Sequence, residues 1–177
     1  MLRVRLLGEV ALAHDDASVG LESPRLQSLV GLLVLRRDAP QDRARLAFEL
    51  WPDSTESQAR TNLRHLVHDL RSALPQAAEI IEVTNRTLQW RPRVPVWVDV
   101  EVFETGLERA AGADDETAAR SALETAVDAY GGDLLPNSWD DWVLADRERL
   151  NMGAIAALER LAGLVAVGAE EIGRAHV

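Results

Sequence analysis

The sequence predicts an α+β unit, in which short strands precede three helices and a β-hairpin, followed by an all-α unit of antiparallel helices. Three observations carry this expectation. Short apolar-rich stretches separated by turn residues lie in the first half of the chain. Leu26, Leu29, Val30 and Leu33 recur at i, i+3, i+4 and i+7, the buried stripe of an amphipathic helix. Beyond residue 98 the apolar residues keep helical spacing, and the expected helix ends coincide with Gly112 and Gly131-Gly132.

Taken in order, residues 2–7 and 10–13 read as strands, broken at Gly8 and ended by the turn-forming His14-Asp15-Asp16. Ser23-Pro24 supplies a hydroxyl cap and a proline at the first helical position. Asp42 caps a second, short helix carrying Leu46, Phe48, Leu50 and Trp51, which Pro52 stops. Asp53, with Glu56 three residues on, resembles a capping box and opens a third helix over residues 53–74. Pro75 ends it. Residues 80–83 and 87–90 flank the polar tip Thr84-Asn85-Arg86 as a hairpin. The proline-spaced stretch 91–95 reads as a linker, dividing the chain into domains 1–95 and 96–170. In the second, Phe103, Leu107 and Ala110 mark one helix and Ala119, Leu123, Ala126 and Tyr130 the next. A long pattern then runs from Trp139 through Leu161.

At 177 residues and 47% hydrophobic content, the chain can bury a real core, which excludes a disordered class. No apolar run reaches membrane-span length and the N-terminal residues do not read as a signal peptide, so a cytoplasmic protein is expected. The absence of cysteine excludes a disulfide framework, a thiolate zinc site and a cysteine nucleophile. Charge is divided unevenly. Residues 1–98 carry 13 Arg against 12 Asp and Glu, whereas residues 99–177 carry 6 against 17. Every cation is an arginine. Salt screens exposed charges beyond roughly 8 Å, so an acidic second half does not silence a basic patch in the first.

The third helix is the most informative segment. At 100° per residue, Ala59, Leu63, Leu66, Val67, Leu70 and Leu74 share one face and must pack inward. Ser57, Thr61, His65, His68 and Ser72 lie opposite, with Arg60, Arg64 and Arg71 along one flank. Arginine pairs bidentately with phosphate or with guanine edges, and hydroxyls and imidazoles donate to phosphate. On composition alone, a solvated helix face accounts for these residues equally well. The order of elements favours the first reading: helix, turn, helix, then a hairpin with Arg86 at its tip is the order of a winged helix-turn-helix. The candidate DNA contacts are therefore Arg60, Thr61, Arg64, His65, His68 and Arg71, with Asn85 and Arg86 in the wing.

Other chemistry is poorly supported. His65 and His68 are spaced for shared metal ligation, but no third ligand converges with them, so no metal and no cofactor are expected. The carboxylate pairs Asp15-Asp16, Asp114-Asp115 and Asp140-Asp141 fit turns and helix caps, and no spacing implies two carboxyls meeting in a cleft. No glycine-rich phosphate loop or Ser/His/Asp arrangement is present, so an enzyme is not expected. Trp51, Trp139 and Trp142 are expected in the core, and Trp97 between the two halves.

Ser23-Pro24-Arg25, Leu50-Trp51-Pro52-Asp53, Ala59-Arg60-Thr61-Asn62-Leu63-Arg64 and Leu70-Arg71-Ser72-Ala73-Leu74 resemble the DNA-binding half of the antibiotic regulatory protein (SARP) family. Val98-Asp99-Val100, Tyr130-Gly131-Gly132-Asp133-Leu134-Leu135-Pro136 and Arg147-Glu148-Arg149-Leu150 after Trp142 resemble that family's bacterial transcriptional activator domain. The likeness spans about residues 2–168. It implies an α+β winged helix-turn-helix of OmpR type followed by an all-α TPR-like helical domain. It further implies a transcriptional activator that binds double-stranded DNA at promoter repeats, contacts RNA polymerase and forms homo-oligomers, without a membrane. Family wings carry Gly-Tyr where this chain has Arg86-Thr87. Asp69, on the helix meant to face DNA, repels phosphate unless it pairs with His65 or a cytosine amine. An alternative is a protein-interaction module that works through the acidic helical half, with the winged helix as a dimerisation element.

Residues 171–177, Glu-Ile-Gly-Arg-Ala-His-Val, back-translate to a common sequencing-adapter sequence and are expected to be foreign to the gene. A helical domain interrupted there would expose Ala157, Leu158, Leu161 and Leu164.

Overall fold

The computed structural model describes residues 1–174, with side chains through Val165. Strands β1 (Leu2–Arg5), β2 (Ala11–His14) and β3 (Ala17–Val19) form an antiparallel meander, and β7 (Val96–Val98) adds to it in parallel against β1. Val4 lies opposite Leu12 on one side and Val98 on the other, so the sheet's inner face is aliphatic. Between these strands the chain runs through α1 (Pro24–Leu35), β4 (Gln41–Asp42), α2 (Arg43–Leu50), α3 (Glu56–Ala73) and α4 (Ala77–Ile80), then β5 (Ile81–Val83) and β6 (Thr87–Trp90). Strands β4, β6 and β5 form a second, three-stranded sheet with β6 in the middle. Helices α5 (Asp99–Ala111), α6 (Glu116–Ala129) and α7 (Asp141–Arg174) complete the chain.

Local chemistry accounts for most boundaries. Ser23 Oγ accepts from the Leu26 amide, Asp42 from Arg45 and Asp115 from Ala118, each capping the helix behind it. The cap of α3 is Thr55, which accepts from the Gln58 amide, and the expected box from Asp53 does not form. The turn before the helix is one residue pair longer than the capping-box spacing assumed. Strands β3 and β4 and the single turn α4 are not evident from hydrophobic period, because two to four residues are too few to show one.

The expected division after residue 95 falls between β6 and β7, and the chain then returns to the first sheet. Further contacts join the halves there. The buried Asp99 carboxylate, 3% exposed, accepts from the Leu6 amide at 2.8 Å and the Leu7 amide at 2.9 Å, besides the Val100 amide at 2.8 Å. Leu135 N–H donates to the Leu6 carbonyl and Gly8 N–H to the Asp133 carbonyl. Gly8 has φ of +78°, and a Cβ there would stand 2.4 Å from the Gly131 carbonyl oxygen. Gly131-Gly132 therefore does more than end α6: it lets two backbones touch.

One core runs through both halves, from Leu29, Leu33, Leu63 and Trp90 to Phe103, Leu134 and Leu150. A small satellite of Ala110, Leu123 and Ala157 lies between α5, α6 and α7. This corrects the face expected at the end of α7. Ala157 is buried and Leu161 and Leu164 are half-buried against that satellite, while Leu158 is exposed together with Met152 and Ile155. Trp139 corrects another expectation: it is 83% exposed rather than in the core. Trp142 and Trp51 are half-buried against the core, and Trp97, the middle residue of β7, lines concavities shared with Val102 of α5 and Thr125 of α6. Residues 175–177, the end of the segment expected to be foreign, lie outside the described residues. Among the described residues no helix is long and apolar enough to cross a membrane.

Candidate nucleic-acid interface

Helix α3 is strongly two-sided. Ala59, Leu63, Leu66, Val67 and Leu70 are buried, which turns Arg60, Arg64, His65, His68 and Arg71 outward. Thr61 is half-buried and donates its hydroxyl to the Ser57 carbonyl, so toward a ligand it can only accept. Arg60 is paired with Glu56 at 2.5 Å. Arg64, Arg71 and Arg86 have no carboxylate partner among the described residues and are free to neutralise an anion. The pairing of Asp69 with His65 considered from the sequence is absent among the described residues.

The wing is built without glycine. Thr84 N–H donates to the Thr87 carbonyl, and the Thr84 hydroxyl oxygen accepts from the Arg86 and Thr87 amides. No residue from Thr84 to Thr87 has positive φ, so Arg86-Thr87 closes the tip where the family places Gly-Tyr. The hydroxyl supplies the closing contacts instead.

The wing tip is held over the start of α2. Asp42 pairs with Thr87 in the β4–β6 ladder, Arg43 N–H donates to the Arg86 carbonyl at 2.8 Å, and the Arg43 guanidinium donates to the Thr84 carbonyl at 3.0 Å. One concavity results, lined by Arg43, Arg60, Leu63, Arg64, Asn85 and Arg86. The Asp42 carboxylate at its edge is engaged by the Arg45 amide. Four guanidiniums surround one opening with a single amide side chain; Arg43 and Arg60 already have protein partners, whereas Arg64 and Arg86 can pair with an anion or a base edge.

Of the eight residues expected to touch DNA, Arg60, Arg64, Asn85 and Arg86 are thus brought together. Thr61 borders a shallow neighbouring depression with Arg60 and Arg64. His65, His68 and Arg71 continue along the exposed face of α3, outside the concavity; Arg71 lies about 16 Å along the helix from Arg60. Arg43 was missed because, on the sequence, it is simply the residue after a cap. Only the short β4–β6 ladder brings it to the wing. Arg43→Ala should leave the fold intact and weaken duplex binding a few-fold, with faster hydrogen exchange at the amides of residues 84–87. Titration by fluorescence anisotropy and exchange measured by mass spectrometry would check both. Among the described residues no three His, Asp or Glu side chains come together as a metal site.

A small winged-helix unit with a basic cleft, followed by antiparallel helices, defines a two-part class of protein: a winged-helix head on a helical body. No protein-family model matches the sequence. The chain is 24% identical over 159 residues to the regulatory protein AfsR of Streptomyces coelicolor, covering 89% of this chain and 16% of that protein. Its fold is similar to that of Mycobacterium tuberculosis EmbR, solved in complex with a low-affinity phosphopeptide, with a TM-score of 0.63 and 21% identity. That likeness covers 92% of this chain and 43% of the EmbR chain. The chain thus spans less than half of either relative. A regulatory protein similar in sequence and a solved structure similar in fold thus support the SARP resemblance, and the fold is a winged helix followed by a helical domain.

Proposed function

We propose that the protein is a sequence-specific, DNA-binding transcription regulator. The observation that carries this reading is the cleft in which Arg43, Arg60, Arg64 and Arg86 surround Asn85 between α3 and the wing. In this reading α3 lies in the major groove and the wing tip meets the backbone of the flanking minor groove. Arg64 and Arg60 reach base edges or phosphates, His65, His68 and Arg71 follow the strand beyond, Thr61 accepts from a base amine, and Asn85 and Arg86 clamp the backbone. Residues 1–95 serve as the DNA-binding domain and the helices from residue 96 onward as the activator domain. The protein acts in the cytoplasm as an activator, with copies side by side on promoter repeats and in contact with RNA polymerase. Its similarity to a regulatory protein supports the general reading.

The test is a selection from random duplexes with the whole chain, followed by titration of the winners at rising salt. The expected result is an enriched motif, with log affinity falling against log salt at a slope of about −3 to −4 per bound copy, for four phosphate contacts. Copies on a repeat would enrich the motif at a spacing of about one helical turn, roughly 10 base pairs. A pool that stays unenriched in the presence of folded protein would overturn the reading.

A further inference from the structure

A second concavity lies at the other end of α2, away from the basic cleft. It is walled by the start of α1 (Pro24, Arg25), the C-terminal end of α2 (Phe48, Glu49), the turn before α3 (Pro52, Asp53) and the loop from Asn137 into α7. Two large aromatic side chains stand out of it into solvent, Trp139 at 83% and Phe48 at 67% exposure. None of the candidate DNA contacts lines it. Helix α2 has eight residues, so about 12 Å of helix separates its two ends. A partner seated here would leave the basic cleft open.

The floor is built rather than accidental. Asp140 is ion-paired with Arg25 and accepts from the hydroxyls of Ser28, at 3.1 Å, and Ser138, at 2.9 Å. This network fixes the loop that carries Trp139 against α1. The half-buried tryptophans at this end of the molecule are already covered by the chain's own guanidiniums: Arg25 lies 5.9 Å over Trp51, and Arg36 lies 5.5 Å over Trp142, which also lines the concavity. No cation covers Trp139 among the described residues.

The charge around the opening is acidic. Glu49 is engaged by Arg36 and Arg45, and Asp140 by Arg25. Asp53 and Asp141 have no ion pair among the described residues. Two free carboxylates beside two bare aromatics repel nucleic acid and attract cations. We propose that this groove is a docking site for a protein segment that alternates Arg or Lys with large apolar residues. Its cation covers Trp139 as Arg25 covers Trp51, its apolar side chains pack on Phe48 between Pro24 and Pro52, and its remaining charge meets Asp53 and Asp141.

The test uses the whole chain and three labelled 12-residue peptides, alternating Leu with Arg, with Ser or with Glu, titrated by anisotropy at two salt concentrations. The Arg peptide is expected to bind, the Ser peptide at least tenfold more weakly and the Glu peptide not at all. Trp139→Ala and Phe48→Ala, both at exposed positions that the fold does not need, should each weaken the Arg peptide at least tenfold and leave duplex DNA affinity unchanged. Asp53→Asn with Asp141→Asn should reduce binding and flatten its salt dependence. Glu108→Gln with Asp114→Asn, the same charge change at the far end of α5, should alter it less than twofold. Equal loss from the distant pair would mean general attraction to an acidic chain and overturn the proposal, as would full binding by Trp139→Ala. Sedimentation showing a dimer that Trp139→Ala dissociates would also overturn it and assign the face to a second copy.

Discussion

Arg64→Ala is expected to lower affinity for the selected duplex by about 1–3 kcal/mol, roughly a factor of five to more than a hundred. The size follows from geometry. Arg64 projects from the solvent side of α3 because Leu63, Leu66 and Val67 hold the opposite side in the core. It lines the cleft facing Asn85 and Arg86, and no carboxylate among the described residues competes for it. Arg60 gives up its pairing with Glu56 when it binds an anion, so Arg60→Ala should cost less. The measurement also tells which contact is lost. Weakening that is uniform across sequences, with the salt slope reduced by about one, marks a phosphate contact. A retained slope with relaxed preference at one base position marks a base contact. Unchanged affinity by both criteria would remove this face from the interface.

Asp99→Ala is expected to destabilise the protein by about 3 kcal/mol or more, because three buried amides lose their acceptor at once. Asp99 is the first residue of α5, so its charge also complements the positive end of the helix dipole. Asp99→Asn keeps one acceptor oxygen and should cost about half as much. Acid separates the two forms further. Burial pushes the Asp99 carboxyl above its ordinary 3.8, more than the three amides pull it down. A carboxyl raised in the folded state stabilises most below the unfolded value and loses that contribution as pH rises through the folded one. The stability gap between the native chain and Asp99→Asn should therefore widen from pH 7 to pH 4. Urea midpoints at the two pH values would check the sign, and a gap that narrows would contradict it.

Much of this was legible from residue order. Ser23-Pro24, Asp42 and Asp115 announced three helix starts, and each cap is in place, because a cap is a contact within four residues. The two faces of α3 follow from spacing alone, and so do the outward directions of Arg60, Arg64, His65, His68 and Arg71. The wing's position followed from two short apolar runs around a polar tip. What was misjudged depended on neighbours distant in sequence. Trp139 and Trp142 are three apart and looked alike, yet the loop pinned by Asp140 leaves the first in solvent. Leu161 and Leu164 found cover on α5 and α6, which helical period cannot reveal.

Sequence by itself determined the helices, their buried stripes and a set of outward-facing arginines, since these depend on local hydrogen bonds and on period. Only the tertiary structure decided which of those arginines share an opening. Arg43 joins them through a two-residue ladder to β6, and Asp99 and Gly8 seat the helical half on the first sheet through contacts spanning more than ninety residues. Such contacts leave no period in the sequence. They form because buried amides must find an acceptor and two backbones can meet only where no Cβ intervenes.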